Sequence, residues 1–274
     1  VLDVEPPPIS LPSNLHKKFG FSIYSARYGN IYTVRQLLQL AQEVSEERIP
    51  ENYIWEKDGK YFDALRPSVE PEGLSTPEEV VIHRKHHIHR VKKLFSELDL
   101  LIFTLGLTEM WVHKESETVY PSAPGTIAGD FNQDKYGFEN AQFLEILDDF
   151  INFQEVLKKF RGNRSFNILL SVSPVPLTAS ASGKHILVSN SYSKSTLISV
   201  ANQLSLHHKN IDYFPSYEII TNPRLHSISF SQNLRTVRHE AVENVMKHFF
   251  DSHKTLNIFP AKQKVSVKEQ LNKS

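Results

Sequence analysis

The stretch at residues 98–111 reads LDLLIFTLGLTEMW, and it decides the predicted fold. Its apolar run ends abruptly in Gly106, Thr108 and Glu109. A run without apolar/polar alternation predicts a strand that is covered on both faces, as in the parallel sheets of α/β proteins. Ligands of open α/β sheets bind beyond the carboxyl ends of the strands. We therefore expect a functional loop at residues 106–109, with a core strand and a solvated turn as the alternative.

Apolar residues at helical spacing surround this strand. They predict helices at residues 33–47, 76–98, 139–160, 192–207 and 237–250. Thr33 and Thr76 each precede such a segment and are expected to be helix N-caps. Ser191 is expected to cap the helix that follows it.

Two further apolar runs, at residues 167–172 and 211–214, predict strands, and residues 53–62 predict a hairpin around Asp58-Gly59. Residues 120–136 are expected to be an irregular loop. The alternation of helices with strands predicts a three-layer α/β sandwich with a mainly parallel, flavodoxin-like central sheet.

The domain organisation follows from the same pattern. We expect a single α/β domain at residues 1–250, with insertions at 50–75 and 112–138, and a loose polar extension at 251–274. The first residue is Val1, and no initiator methionine or signal peptide precedes it. We therefore expect the first strand of the sheet to lie upstream of Val1.

Composition excludes several function classes. Lysine plus arginine and aspartate plus glutamate number 31 each, so charge gives no reason to expect nucleic acid or an anionic membrane surface as a partner. The absence of cysteine excludes a disulfide scaffold, a thiolate nucleophile and a cysteine zinc site. No apolar run approaches the ~20 residues of a membrane span. The chain is expected to be soluble, and its compartment and oligomeric state stay open.

Polar residues follow each predicted strand. Gly106, Thr108 and Glu109 follow the first, Ser173 follows the second and Glu218 follows the third. The carboxyl ends of parallel strands meet at one edge of a sheet, which places candidate ligands of a substrate together.

Six blocks of sequence resemble the GSCFA family, which is itself similar to the SGNH ester hydrolases. They are residues 62–67 (FDALRP), 103–109 (FTLGLTE), 171–179 (SVSPVPLTA), 190–194 (NSYSK), 213–220 (YFPSYEII) and 233–237 (NLRTV). The resemblance implies an SGNH-like fold. It also implies a serine ester hydrolase or acyltransferase whose substrate is an acylated carbohydrate or a similar small ester.

The chain also departs from the family pattern. The Gly-Ser-Cys-Phe-Ala motif is absent, and the resemblance places it and its nucleophile upstream of Val1, so the chain as supplied is expected to be inactive. Thr108 and Glu109 stand where the hydrolase plan has Asn and Asp. Asn233 and Thr236 stand where it has the orienting Asp and the catalytic His.

Residue roles follow from this comparison. His239 and Glu109 are the candidate catalytic bases, with a solvated surface position as the alternative for His239 and a capping or salt-bridge role for Glu109. His226 is a weaker candidate. The candidate oxyanion and substrate-binding residues are Gly106, Thr108, Arg66, Ser173, Glu218, Asn233, Arg235 and Thr236. Structural ion pairing is the alternative for both arginines.

Other function classes stay open as rivals. A non-catalytic carbohydrate- or peptide-binding module on the same fold is the main alternative. His83 and His87 are four residues apart on a predicted helix and could share a zinc ion, but no acid accompanies them at HExxH spacing. We therefore expect no metal and no other cofactor. Ser191 and Lys194 have the spacing of penicillin-recognising enzymes, but the Lys-Thr-Gly element of those enzymes is absent.

Overall fold

A computed structural model describes residues 3–253, without the side chains of His226, Ser227 and His253. Val1 and the part of the predicted polar extension after residue 253 lie outside the described residues. The chain divides into two compact units after Pro215. The prediction of one domain at residues 1–250 stays a prediction.

The first unit begins with a short 3-10 turn at Ser13–Leu15 and continues with alternating helices and strands. These are α1 (Val34–Val44), β1 (Ile54–Lys57), β2 (Lys60–Asp63), α2 (Pro77–Glu97), β3 (Leu100–Leu105), β4 (Glu109–His113), β5 (Val119–Tyr120), β6 (Tyr136–Asn140), α3 (Phe143–Phe160), β7 (Asn167–Val172), α4 (Ile186–His207) and β8 (Ile211–Tyr213). Mixed helices and strands confirm the α/β class.

The predicted caps of α1 and α2 are confirmed. The side-chain oxygens of Thr33 and Thr76 each accept the main-chain N–H three residues on, and both helices start with a capping box. The cap predicted at Ser191 is wrong, because Ser191 lies inside α4. No proline or glycine interrupts residues 186–207, so α4 extends back to His185, whose ring accepts the Leu187 N–H.

The central sheet of the first unit has the order β3-β7-β8, and all its strands are parallel. β7 is covered on both faces, as expected for such a strand. The same expectation is wrong for β3, where Leu100 is 45% exposed and Ile102 is 55% exposed. Within the described residues β3 pairs along one side only, so its outer edge and one of its faces are open.

A second sheet is formed by strands between residues 109 and 140, around the predicted insertion at residues 112–138. It is antiparallel with the order β5-β4-β6, and only the end residues Tyr120 and Tyr136 of the loop expected at residues 120–136 belong to its strands, so the irregular loop is confirmed for residues 121–135. The residues of β6 pair with β4, which explains why α3 begins at Phe143 rather than at residue 139. The β1–β2 hairpin turns at Asp58 and Gly59, both with positive φ as a type I′ turn requires, so that prediction is confirmed.

A cluster of buried charges joins α1, α2 and the β2 strand. Asp63 accepts a hydrogen bond from Arg66 Nε at 2.8 Å and lies 3.1 Å from Arg84 Nη1, while Arg84 also pairs with Glu43. Burial alone would raise the pKa of Asp63, but the charges of Arg84 and Arg66 reverse this and lower it. The side chains of Asp63, Arg66 and Arg84 are at most 7% exposed, so each charge depends on its partner.

Arg66 belongs to this cluster rather than to a surface cleft. Its guanidinium is 3% exposed and donates to Asp63, to the Arg27 carbonyl and to the His83 carbonyl. Structural ion pairing, the alternative from the sequence, therefore describes Arg66 better than a clamp on substrate.

The described part of the second unit, up to residue 253, contains the helices α5 (Ser216–Thr221), α6 (His226–Ser229) and α7 (His239–His253). Phe230 and Val237 form an isolated antiparallel bridge, so the helix predicted from residue 237 begins two residues later. Among the described residues of both units, no helix has the length and apolar character needed to cross a membrane.

Replacing Arg84 with methionine tests the buried charges. The substitution removes the Arg84 charge that pairs with Asp63 and Glu43. Removing one partner of a buried ion pair costs about 3–5 kcal/mol of unfolding free energy. Urea unfolding followed by circular dichroism measures the loss. Lys92→Met is the matched control on the same helix, since the Lys92–Glu46 pair is exposed and its removal should leave the unfolding midpoint unchanged. Equal midpoints for the two variants would contradict the importance of the cluster.

Candidate functional site

The loop after β3 is held against the start of α1. The main-chain N–H groups of Gly106 and Leu107 donate to the Tyr32 carbonyl at 3.0 and 3.2 Å. A Cβ atom at Gly106 would lie 2.9 Å from that carbonyl oxygen, which is closer than real Cβ contacts allow. The close approach therefore requires glycine at this position.

Lys194 holds the same loop from α4. Its ammonium donates to the Gly106 carbonyl at 2.7 Å, and the residue is only 2% exposed. Burial lowers the pKa of Lys194 to about 8. No carboxylate lies within ion-pair distance of Lys194 in the part of the chain that the structure describes. A buried ammonium that binds a main-chain carbonyl fixes the position of the loop at the end of β3.

Thr108 is fully buried at the end of this loop. Its N–H donates to Ser193 Oγ at 3.0 Å, and its hydroxyl donates to Asn140 Oδ1 at 2.6 Å. Both donors of Thr108 are therefore engaged within the protein. The oxyanion role of Thr108 stays a prediction, and the residue that it contacts, Asn140, was missed by sequence reasoning because it comes from β6.

Glu109 is the first residue of β4 and is 9% exposed. Its Oε1 accepts a hydrogen bond from the Ser180 hydroxyl at 2.6 Å. Ser180 Oγ in turn accepts the Ser182 N–H at 3.1 Å, and Ser182 Oγ lies 2.9 Å from the buried Ser189 Oγ. These serines form a hydroxyl chain that holds the carboxylate in place.

The charge of Glu109 distinguishes it from the other buried acids. Asp63 and Asp149 each have an arginine within 3.1 Å. Over residues 3–253, no cation lies within ion-pair distance of Glu109. The partner of Glu109 among these residues is therefore the Ser180 hydroxyl rather than a charged group.

Ser173 lies at the same edge of the sheet as Gly106. Leu105 and Val172 are register partners in β3 and β7, so the residues that follow them are neighbours. Ser173 donates its N–H to the Leu105 carbonyl at 2.9 Å, and its hydroxyl accepts the Val175 N–H at 3.3 Å. Gly106 and Ser173 are therefore neighbours, and the roles of Gly106, Thr108, Glu109 and Ser173 at a substrate site stay predictions.

The predicted site residues that remain, apart from Arg66, belong to the second unit. Asn233 Oδ1 accepts the N–H groups of Arg235 and Thr236 at 3.0 and 2.9 Å, and Asn233 Nδ2 donates to Thr236 Oγ1 at 2.9 Å. This geometry is a side-chain-stabilised turn. Glu218 lies on α5, and its side chain is exposed, as are those of Asn233, Arg235 and Thr236. Their roles in binding substrate stay predictions.

His239 is the first residue of α7. Its side chain is 82% exposed, and its Nδ1 lies 3.4 Å from Glu243 Oε1. The solvated position named as the alternative is what the structure shows for this ring. The side chain of His226 lies outside the described residues, so its candidacy stays a prediction.

Comparison with known proteins bears on the resemblance. The model of the GSCFA family matches residues 12–249, which include all six of the blocks noted above. The chain belongs to the GSCFA family. Comparisons with curated proteins and with solved structures gave no match.

His83 and His87 of this GSCFA-family chain contact different carboxylates. His83 Nδ1 lies 3.7 Å from Glu70 Oε1, and His87 Nδ1 lies 2.6 Å from Glu5 Oε2. His87 is 2% exposed, and burial together with the charge of Arg66 lowers its pKa to about 4. Neutral His87 therefore donates its Nδ1–H to the Glu5 carboxylate. Across the described residues, no group of three or more His, Cys, Asp or Glu side chains has the arrangement of a metal site.

Gly106→Ala tests the close approach of the loop to Tyr32. The added methyl group forces the loop or α1 to move, which we expect to cost about 1–3 kcal/mol of unfolding free energy, as overpacking typically does. Gly137→Ala is the matched control, because a Cβ there has its nearest neighbour, a flexible lysine atom, at 3.5 Å. Thermal unfolding of both variants measures the difference, and an unchanged melting temperature for Gly106→Ala would rule out the constraint.

The Glu5–His87 pair predicts a pH dependence of stability. Folding lowers the His87 pKa from 6.5 to about 4, so the stability that it contributes is present above pH 6.5 and is lost as the pH falls toward 4. The loss amounts to up to about 3 kcal/mol, since one pKa unit corresponds to about 1.4 kcal/mol. His87→Gln should flatten the dependence between pH 7 and pH 4 in urea unfolding at a series of pH values. The exposed His89→Gln control should keep the wild-type slope, and a wild-type slope in His87→Gln would refute the prediction.

Proposed function

We propose that this GSCFA-family protein is an SGNH-like serine ester hydrolase or acyltransferase that acts on an acylated carbohydrate or a similar small ester. The observation that carries the proposal is Glu109, a nearly buried carboxylate that accepts a serine hydroxyl just after the parallel strand β3 and has no cation within ion-pair distance among residues 3–253. A carboxylate in that position can take a proton from an attacking hydroxyl and return it to the leaving group.

The open edge of β3 supports an SGNH-like sandwich. Its outer face exposes Leu100 and Ile102, and exposed apolar strand edges are suited to pairing with a further strand. We propose that a further strand, which carries the nucleophilic serine, pairs with this edge. The serine would then reach the loop at residues 106–109, because the carboxyl ends of parallel strands lie side by side.

Site roles follow from this arrangement. Glu109 accepts the proton, and the tied loop from Gly106 to Thr108 defines the floor of the site together with Ser173. The roles of Glu218, Asn233, Arg235, Thr236 and His239, which belong to the second unit, stay predictions.

The N-terminal part of α4 offers a surface for the acyl group. Leu187 and Val188 are 68% and 54% exposed beside Tyr192, and they border an open depression of about 530 Å³. Tyr192 belongs to the region of the site because its hydroxyl lies 3.5 Å from the Ala141 carbonyl, one residue after Asn140. Apolar surface next to a polar strand end fits an ester that has one apolar and one polar part.

The alternative is a non-catalytic carbohydrate- or peptide-binding module on the same fold. One observation favours it. Asn233 and Thr236 stand where the hydrolase plan has Asp and His, and they hydrogen-bond to each other within a turn. The two functions differ in the role of Glu109. An enzyme needs it for turnover, whereas in a binding module it contributes only to the shape of the binding site.

Hydrolysis of p-nitrophenyl acetate and transfer to a sugar alcohol, both by the protein made from its full-length coding sequence, test the proposal. We expect Glu109→Gln to lower kcat/KM by about 10²- to 10⁴-fold, the usual contribution of a general base. Glu139→Gln, an exposed neighbour on β6, is the matched control and should retain wild-type activity.

Wild-type activity in Glu109→Gln would remove Glu109 as the base. A wild-type protein that binds acetylated sugars, as measured by calorimetry, yet neither cleaves nor transfers the acetyl group would establish the binding module instead.

A further inference from the structure

Asn140 is the last residue of β6, and the oxygen of its side-chain amide has a hydrogen-bond partner within the protein. Its Oδ1 accepts the Thr108 hydroxyl at 2.6 Å, which fixes the orientation of the amide. The residue is partly exposed, whereas Thr108 is fully buried. Within residues 3–253, no hydrogen-bond acceptor is assigned to the Asn140 amide nitrogen. The buried threonine thus orients the amide through its oxygen, and the two N–H donors of the partly exposed side chain are available to water or to a ligand.

The Asn140 amide lies on the same face of the second sheet as the Glu109 carboxylate. Asn140 and Glu109 are direct partners in the antiparallel register of β4 and β6. Side chains of such partners point to one face, with their Cβ atoms about 4.5–5.5 Å apart. A hydrogen-bond donor and a carboxylate therefore start from neighbouring positions on one face of the sheet, where one small ligand can contact both.

The backbone around Asn140 holds this pair rigidly. The Ala141 N–H donates to the Thr108 carbonyl at 2.9 Å, and the Thr108 N–H donates to the Ser193 hydroxyl at 3.0 Å. Ser193 is fully buried on α4. The amide is thus positioned from β6, from the loop after β3 and from α4, and such preorganisation is what makes a donor effective toward developing charge.

We propose that the Asn140 amide donates a hydrogen bond to the carbonyl oxygen of the ester and to the oxyanion formed from it, with Thr108 as its positioning residue. The inference rests on the proposed ester chemistry and deepens it by naming the donor. It assigns to Asn140 the function that the sequence assigned to Thr108, since both donors of Thr108 are engaged within the protein.

Cleavage of the ester proceeds through a tetrahedral intermediate. The nucleophilic hydroxyl oxygen forms a bond to the carbonyl carbon, and its proton moves to Glu109. The carbonyl π electrons move to the oxygen that faces Asn140, which becomes negatively charged. When this intermediate collapses, the bond to the alcohol oxygen breaks and the leaving alcohol takes the proton from Glu109. Water or an acceptor hydroxyl then removes the acyl group by the same route.

Steady-state kinetics of the full-length protein with p-nitrophenyl acetate test the inference. We expect Asn140→Ala to lower kcat about 10²- to 10³-fold, the usual loss for one oxyanion donor. We expect KM to change less than about twofold, because the interaction is made mainly in the transition state. Asn140→Asp, which replaces the donor by a negative charge at nearly the same size, should lose at least as much.

Substitution of Thr108 separates positioning from general stability. Thr108→Val removes the bond to Asn140 and should lower kcat in the same direction as Asn140→Ala, whereas Thr108→Ser keeps the hydroxyl and should lower kcat less than Thr108→Val. Asn202→Ala, which removes an exposed amide on α4, is the matched control and should leave kcat unchanged. Circular dichroism and thermal unfolding identify any variant that fails to fold, and Asn140→Asp supplies the comparison if Asn140→Ala is such a variant.

Each outcome decides the question. If the wild-type protein cleaves the ester, and folded Asn140→Ala and Asn140→Asp cleave it equally well, the inference is overturned and the ester hydrolase stands. Equal kcat for Thr108→Val and Thr108→Ser would overturn the positioning role of Thr108. A wild-type protein with no activity overturns the proposed function, and the inference falls with it.

Discussion

The loop that follows β3 depends on hydrogen bonds from three distant parts of the first unit. The Tyr32 carbonyl binds its main-chain N–H groups, Lys194 binds the Gly106 carbonyl, and Ser193 binds the Thr108 N–H. The contact with Tyr32 requires a residue without a side chain, so Gly106 is the point at which α1 and the central sheet are joined. Every other feature of the site, including the direction of Thr108 and the start of β4, follows from where this loop ends.

Buried charges in this protein have two kinds of surroundings. Asp63 and Arg84 lie in a cluster where each charge has an opposite charge beside it, and such clusters stabilise one arrangement of the elements that they join. Glu109 and Lys194 are buried without a charged partner among the described residues and lie at the loop after β3. The first two charges are thus neutralised by opposite charges, whereas the other two bind a serine hydroxyl and a main-chain carbonyl.

Local signals in the sequence predicted much of the fold. The caps at Thr33 and Thr76, the turn at Asp58-Gly59 and the strand β7 depend on residues within a few positions of each other, and all are confirmed. The predictions that failed did so for different reasons. Ser191 has the chemistry of an N-cap, but His185 caps the helix earlier. β3 has the composition of a fully covered strand, but its position at the edge of the sheet leaves one face open.

The sequence by itself determined the family, the α/β class and the presence of polar residues after the strands, because each of these is written in contiguous blocks. Only the tertiary structure decided what those polar residues contact. Thr108 binds Asn140, which is 32 positions away, and Glu109 binds Ser180, which is 71 positions away. The physical reason is that a hydrogen bond between two short side chains needs both of them within about 3 Å. That proximity is created by the packing of whole strands and helices, so no local pattern in the sequence records it.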